Sequence, residues 1–120
     1  LYHDGHRQLW IGTENGLCIY ENGTFTLHPS LGSDHVKNIV AHNGSVYVLT
    51  REKIHIATAQ HSEIFYSPSD PETTFFDFTH GHDCWWLAGK GEGLIKLGED
   101  GKSAVNFLSD STLTTTTLTG

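Results

Sequence analysis

The stretch LWIGTENGLCIYENGTFTLHP, Leu9 to Pro29, decides how the rest of the chain is read. Two short apolar runs, Leu9–Gly12 and Leu17–Tyr20, are split by Thr13, Glu14, Asn15 and Gly16, and a third run follows Asn22 and Gly23. Taken alone the stretch describes strands joined by tight turns. The question is whether it is one hairpin or one unit of a repeat.

It is a repeat. Leu9–Thr13 (LWIGT) matches Val46–Thr50 (VYVLT) at a displacement of 37 residues, which also carries Leu17–Ile19 onto Ile54–Ile56. A third copy begins at Trp85–Gly89 (WWLAG), 39 residues beyond the second. One extra residue in Lys90-Gly91-Glu92 then brings Gly93–Ile95 onto Gly16–Cys18. At the same displacement of 39, His35–Val40 lies over Thr74–Thr79. In the second copy the apolar runs are Val36–Ala41, Val46–Thr50, Ile54–Thr58 and Glu63–Tyr66, each bounded by turn residues. Short runs rich in Val, Ile, Thr and aromatic residues between such boundaries predict strands. Apolar residues nowhere recur at helical spacing over a dozen positions, so no helix is expected.

A strand with one wet face alternates apolar and polar residues, whereas a strand buried on both faces is apolar nearly throughout. Four strands per period of about 40 residues, in sheets covered on both sides, is the pattern of a β-propeller blade. Trp10, Tyr47 and Trp86 hold equivalent places. The expectation is one large aromatic wedged between adjacent sheets per blade, each contributing roughly 2–3 kcal/mol. Gly12 and Gly89 are expected to make room where blades crowd together. The predicted fold is all-β: about three four-stranded antiparallel blades at residues 1–30, 31–70 and 71–109, with 110–120 starting a further blade. Together they would form an open arc of a six- or seven-bladed ring.

Leu113–Leu118 aligns with Leu31–Val36, and Leu1–His3 with Ile39–Ala41, so the sequence starts and stops within the same strand of the repeat. With no Met in its 120 residues, the chain is expected to be a sector of a longer protein. Its end faces would be covered by further blades of that parent, or by a second copy completing a ring. With 7 basic and 14 acidic residues the net charge is -7, which repels phosphate backbones and argues against nucleic acid. No apolar stretch reaches the roughly 18 residues of a membrane span, so a membrane enters only through a parent chain. Cys18 and Cys84 make neither a disulfide framework nor a metal spacing. Cys18 is expected to be a small buried apolar residue.

Residues 1–29, LYHDGHRQLWIGTENGLCIYENGTFTLHP, resemble the two-component regulator propeller repeat in the Leu-Trp-Ile-Gly-Thr core, the Gly-Leu step and the aromatic strand ending. LSDSTLTTTTL, 108–118, is similar to the linker before such a blade, and WWLAGKGEGLIKL, 85–97, carries the pattern a second time. The middle copy departs from it: Arg51-Glu52-Lys53-Ile54 lacks the Gly-Leu step, and Leu49 stands where the Gly would be. The resemblance implies a periplasmic sensor region of a hybrid two-component regulator, recognising glycan fragments and signalling to a histidine kinase. This chain would be about half of one of its propellers.

His80-Gly81-His82-Asp83-Cys84, echoed by His3-Asp4-Gly5-His6, has the residue types of a zinc site. Both fall on predicted turns between the first two strands of a blade, which favour small polar residues, and no metal or other cofactor is assigned. Asn22-Gly23-Thr24 and Asn43-Gly44-Ser45 match the N-glycosylation pattern but read first as hairpin turns. The Thr-rich run Thr112–Thr119 reads as a loop feeding a strand. Glu99-Asp100 reads as solvated charge in a turn. No nucleophile elbow, metalloprotease helix or phosphate loop occurs, so the segment is not expected to be an enzyme.

Binding is the expected role. In a propeller the loops between the second and third strands and between blades converge on one face. Here they hold Glu14, Asn15, Arg51, Lys90 and His35, which are the candidate ligand-binding residues. Arg51 and Lys90 would hold an acidic or hydroxyl-rich ligand, such as an oligosaccharide, with Arg51 able to bond two oxygens at once. The alternatives are a protein-interaction scaffold with no small ligand and, below that, a propeller lyase or hydrolase.

Overall fold

The structure, a computed structural model, describes residues 1–3, 7–68, 72–81, 83–90 and 93–106. It is all-β, with no helix among the described residues. Twelve strands form three four-stranded antiparallel sheets, each a meander in chain order. Sheet 1 holds β1 (Tyr2–His3), β2 (Leu9–Thr13), β3 (Gly16–Glu21) and β4 (Thr24–Leu27). Sheet 2 holds β5 (Val36–His42), β6 (Ser45–Thr50), β7 (Ile54–Ala57) and β8 (Ser62–Tyr66). Sheet 3 holds β9 (Thr74–Gly81), β10 (Cys84–Lys90), β11 (Gly93–Gly98) and β12 (Ala104–Asn106). The further blade expected at 110–120 lies outside the described residues.

Asn-Gly closes two of the hairpins. Asn22 and Gly23 have φ of 52° and 80°, and Asn43 and Gly44 have 50° and 78°. Two successive residues with positive φ make a type I′ turn, whose twist matches that of the strands it joins. The two sequons are therefore accounted for as turns.

The apolar residues sort into two layers. Between sheets 1 and 2 lie Trp10, Leu17 and Ile19 against Leu31, Val36, Ile39, Val48 and Ala57. Between sheets 2 and 3 lie Tyr47, Leu49 and Ile54 against Phe75, Phe78, Trp85, Leu87, Ile95 and Leu97. Successive residues of a strand point to opposite faces. In β6, accordingly, Val48 belongs to the first layer and Tyr47 and Leu49 to the second, and all three are buried. Burial on both faces is why β6 reads as an unbroken apolar run.

The sheets meet as blades do. Close backbone approaches between neighbouring sheets fall on their first two strands: β1 and β2 with β5, β5 and β6 with β9. The fourth strands carry the exposed side chains, with Phe25 and Leu27 on β4, Ile64 on β8 and Val105 on β12 all more than half accessible, while Phe65 and Tyr66 of β8 still pack on the second layer. Gly12 lies at one of the tight approaches, since a Cβ there would sit 2.4 Å from Val36 Cγ1 of the next sheet.

Three expectations are corrected. Trp10 and Tyr47 are interblade wedges as expected, each facing the following sheet, but Trp86 is half-exposed and its neighbour Trp85 is fully buried. Trp86 keeps the repeat's orientation. It points to the far face of sheet 3, where no fourth sheet stands among the described residues. Gly89 accommodates its own sheet instead of a neighbour, because a Cβ there would meet Thr74 O at 2.8 Å and Phe75 at a β-bulge. Cys18 is half-buried, on the outward face of sheet 1, while Cys84 is buried; both are free thiols.

Candidate functional site

Where the first strands converge, the β6–β7 turn and the approach to β5 form a cleft of about 320 Å³. It is lined by Ser33, Asp34, His35, Thr50, Arg51, Glu52, Lys53 and His55. Thr50 organises the turn. Its amide donates to Lys53 O at 2.9 Å, and its hydroxyl accepts from the Lys53 amide at 3.2 Å. The Arg51 amide donates to His35 O at 2.9 Å, and Arg51 O accepts from the Phe75 amide of sheet 3 at 2.8 Å. The Arg51 backbone is thus held from both sides while its guanidinium reaches solvent.

Of the sequence-predicted residues, Arg51 and His35 line this cleft together with Asp34. Lys90 does not line it. It ends β10, exposed, paired across the sheet with Thr74. Glu14 and Asn15 are exposed in the β2–β3 turn, at the corresponding end of sheet 1, and do not line it either. That turn is closed by Thr13 Oγ1 donating to Gly16 O at 2.8 Å. It leans on the loop leading to the cleft, since a Cβ on Gly16 would sit 2.1 Å from Gly32 O.

From sequence, Lys53 falls in the same converging loop as Arg51 but is not among the candidate residues, and His55 is missed altogether. His55 lies in β7 among Ile54, Ile56 and Ala57, at 9% exposure, and its Nε2 has no hydrogen-bond partner among the described residues. A polar residue inside an apolar strand was the available signal. Burial lowers the His55 pKa; Asp34 opposes the shift, and Lys53 and His28 add to it. Arg51 and Lys53 supply charged donors, Asp34 and Glu52 supply acceptors, and the histidines can do either. Such a mixed lining suits a ligand rich in hydroxyl groups more than a polyanion.

Two larger grooves, about 640 and 700 Å³, lie between sheets 1 and 2. The second is bounded by β3, β4 and the β7–β8 turn, on the side where the sheets diverge.

Metal-ligating groups do not converge in the cleft. The one set that does so among the described residues, His42, His80 and Glu99, stands at the other end of β5. Glu99 is therefore not the free turn carboxylate expected from the sequence: it contacts both imidazoles. His82, and Asp4 to His6 of the echo motif, lie outside the described residues. No family model, curated protein or solved structure matches this chain.

Proposed function

We propose that the chain is a sector of a ligand-sensing propeller, in the extracytoplasmic region of a two-component sensor that recognises glycan fragments and signals to a histidine kinase. The reading rests on the repeat's resemblance and on one observation. A cleft with mixed hydrogen-bonding character sits where the first strands converge, and it contains an imidazole whose buried Nε2 lacks a partner. A ligand hydroxyl at His55 would relieve the cost of that unpaired polar atom. Arg51 would grip a second pair of oxygens. Further blades, from a parent chain or from a second copy, would cover Trp86 on one side and Leu9, Ile11 and Tyr20 on the other. The signal would be a change in receptor arrangement, driven by the ligand's differing affinity for two states.

The test is calorimetric titration of the chain with neutral and uronate-containing di- and tetrasaccharides. Saccharide binding that weakens at least tenfold in Arg51→Ala supports the reading. No binding, or binding indifferent to Arg51, contradicts it. The second reading, a protein-interaction scaffold, draws on the exposed Phe25 and Leu27 of β4 and Ile64 of β8. It predicts capture of a protein partner that is lost in Phe25→Ser with Leu27→Ser and untouched by Arg51→Ala.

A further inference from the structure

We infer that His42, His80 and Glu99 form a binding site for a divalent late-transition-metal ion, Zn²⁺ in type, that clips sheet 2 to sheet 3. His42 ends β5 of sheet 2, His80 is near the end of β9, and Glu99 follows β11 in the turn to β12. The three are brought together from three separate parts of the chain, and their ligating atoms all lie within 4.8 Å of one another. His42 Nε2 lies 3.3 Å from Glu99 Oε2, and His80 Nε2 contacts Glu99 Oε1.

The three donors and their convergence suit a divalent metal ion. Zinc takes imidazole nitrogen and carboxylate oxygen at about 2.0–2.2 Å, so two ligands of a tetrahedral site stand about 3.3 Å apart. The His42–Glu99 edge already has that length. The Glu99 side chain, 44% exposed, is free to adjust toward an ion. The two imidazoles stack at 3.6 Å between centroids, and both turn Nε2 toward one carboxylate. Two imidazole nitrogens and one carboxylate oxygen are a donor set that suits one divalent ion of this type.

The imidazoles are also preorganised. Both meet the buried Trp85 ring edge-on, with centroids 5.6 Å away for His42 and 4.9 Å for His80. Two imidazoles and a carboxylate leave one tetrahedral position open to water, because Glu99 faces solvent. The site lies about 20 Å along β5 from His35 and the cleft, so it is separate from the proposed ligand site.

The experiment is titration of the chain with ZnCl₂, followed by calorimetry and thermal melting, with Co²⁺ absorption as a spectroscopic probe of ligand type. One equivalent of Zn²⁺ per chain is expected, with a raised melting temperature and a tetrahedral Co²⁺ spectrum. Glu99→Gln keeps the side chain's shape and replaces one acceptor oxygen by an amide donor at an exposed site, so it should fold as the unsubstituted chain does yet bind Zn²⁺ at least tenfold more weakly. His42→Ala should behave alike, and Asp100→Asn should bind normally. No saturable binding, or binding undiminished in both Glu99→Gln and His42→Ala, overturns the inference. The latter result would assign the ion to others of the chain's nine histidines.

Discussion

Asn38 Nδ2 donates to Asp77 Oδ1 at 2.6 Å, joining β5 of sheet 2 to β9 of sheet 3 at the same position of consecutive repeats. Each residue also turns its own Oδ1 to the next amide, at 2.8 Å for Ile39 and 2.9 Å for Phe78. A register shift sits beside each, so the first strand of both sheets is bulged in the same place. The device bends the inner strand and ties it to its neighbour. Asn38→Ala and Asp77→Ala should each cost about 1 kcal/mol in chemical denaturation, given how exposed the pair is. The double variant should cost clearly less than the sum, and strict additivity would show that the bond contributes nothing.

His28 staples sheet 1 to sheet 2. Its Nδ1 accepts from the amides of Ser30 and Leu31, both at 3.1 Å, so the ring hydrogen lies on Nε2, which donates to Thr58 O at 2.8 Å. The residue is buried, and removing it strands two amides and a carbonyl. His28→Ala should destabilise the chain by about 1–3 kcal/mol, read as a shift in the urea midpoint. A change below a few tenths would contradict the staple.

The two adjacent tryptophans of β10 should differ sharply. Trp85 stacks on Phe78 at 5.1 Å and packs against Tyr47 at 4.4 Å, whereas Trp86 faces outward beneath Lys96. Trp85→Ala should cost about 3–5 kcal/mol. Trp86→Ala should cost far less in this chain. Trp85 Nε1 has no partner among the described residues, so Trp85→Phe should be much milder than Trp85→Ala. Thermal melts of the three variants check the order.

His55 makes stability depend on pH in a defined direction. Burial lowers its folded pKa below the ordinary imidazole value of about 6.5; Asp34 opposes the shift, and Lys53 and His28 add to it. The unfolded chain then takes up the proton first, so its stabilising contribution is present above that value and is lost as pH falls toward the folded pKa. Between about pH 7 and pH 5 the parent should lose stability more steeply than His55→Gln. Parallel curves for the two proteins would show that the imidazole titrates alike folded and unfolded.

Much of the fold was legible because a repeat states itself several times. Trp10, Tyr47 and Trp86 fall in register in the sequence, and the structure keeps that register: Trp10 and Tyr47 face the following sheet, and Trp86 points the same way, to the outer face of sheet 3. What the letters did not convey was that Trp85, one residue before the repeat's aromatic position, is the ring buried between sheets 2 and 3. The cleft was half legible. Arg51 and His35 were placed by counting turns, but His55 looked like one more residue of an apolar strand. The cluster of His42, His80 and Glu99 was illegible by local reading, because Glu99 is 57 residues from His42 and 19 from His80. Only the stacking of sheets 2 and 3 brings them together.

The account depends on sheets that converge at their first strands and diverge at their fourth. The most direct measurement is a pair of spin-label distances in a variant whose native cysteines have been replaced. One pair of labels sits at Lys37 and Phe76, the exposed bulge residues of β5 and β9; the other sits at Ile64 and Val105 on β8 and β12. The fan predicts a clearly shorter Lys37–Phe76 separation than Ile64–Val105. Equal separations would mean sheets stacked face to face without convergence, and the propeller sector would be wrong.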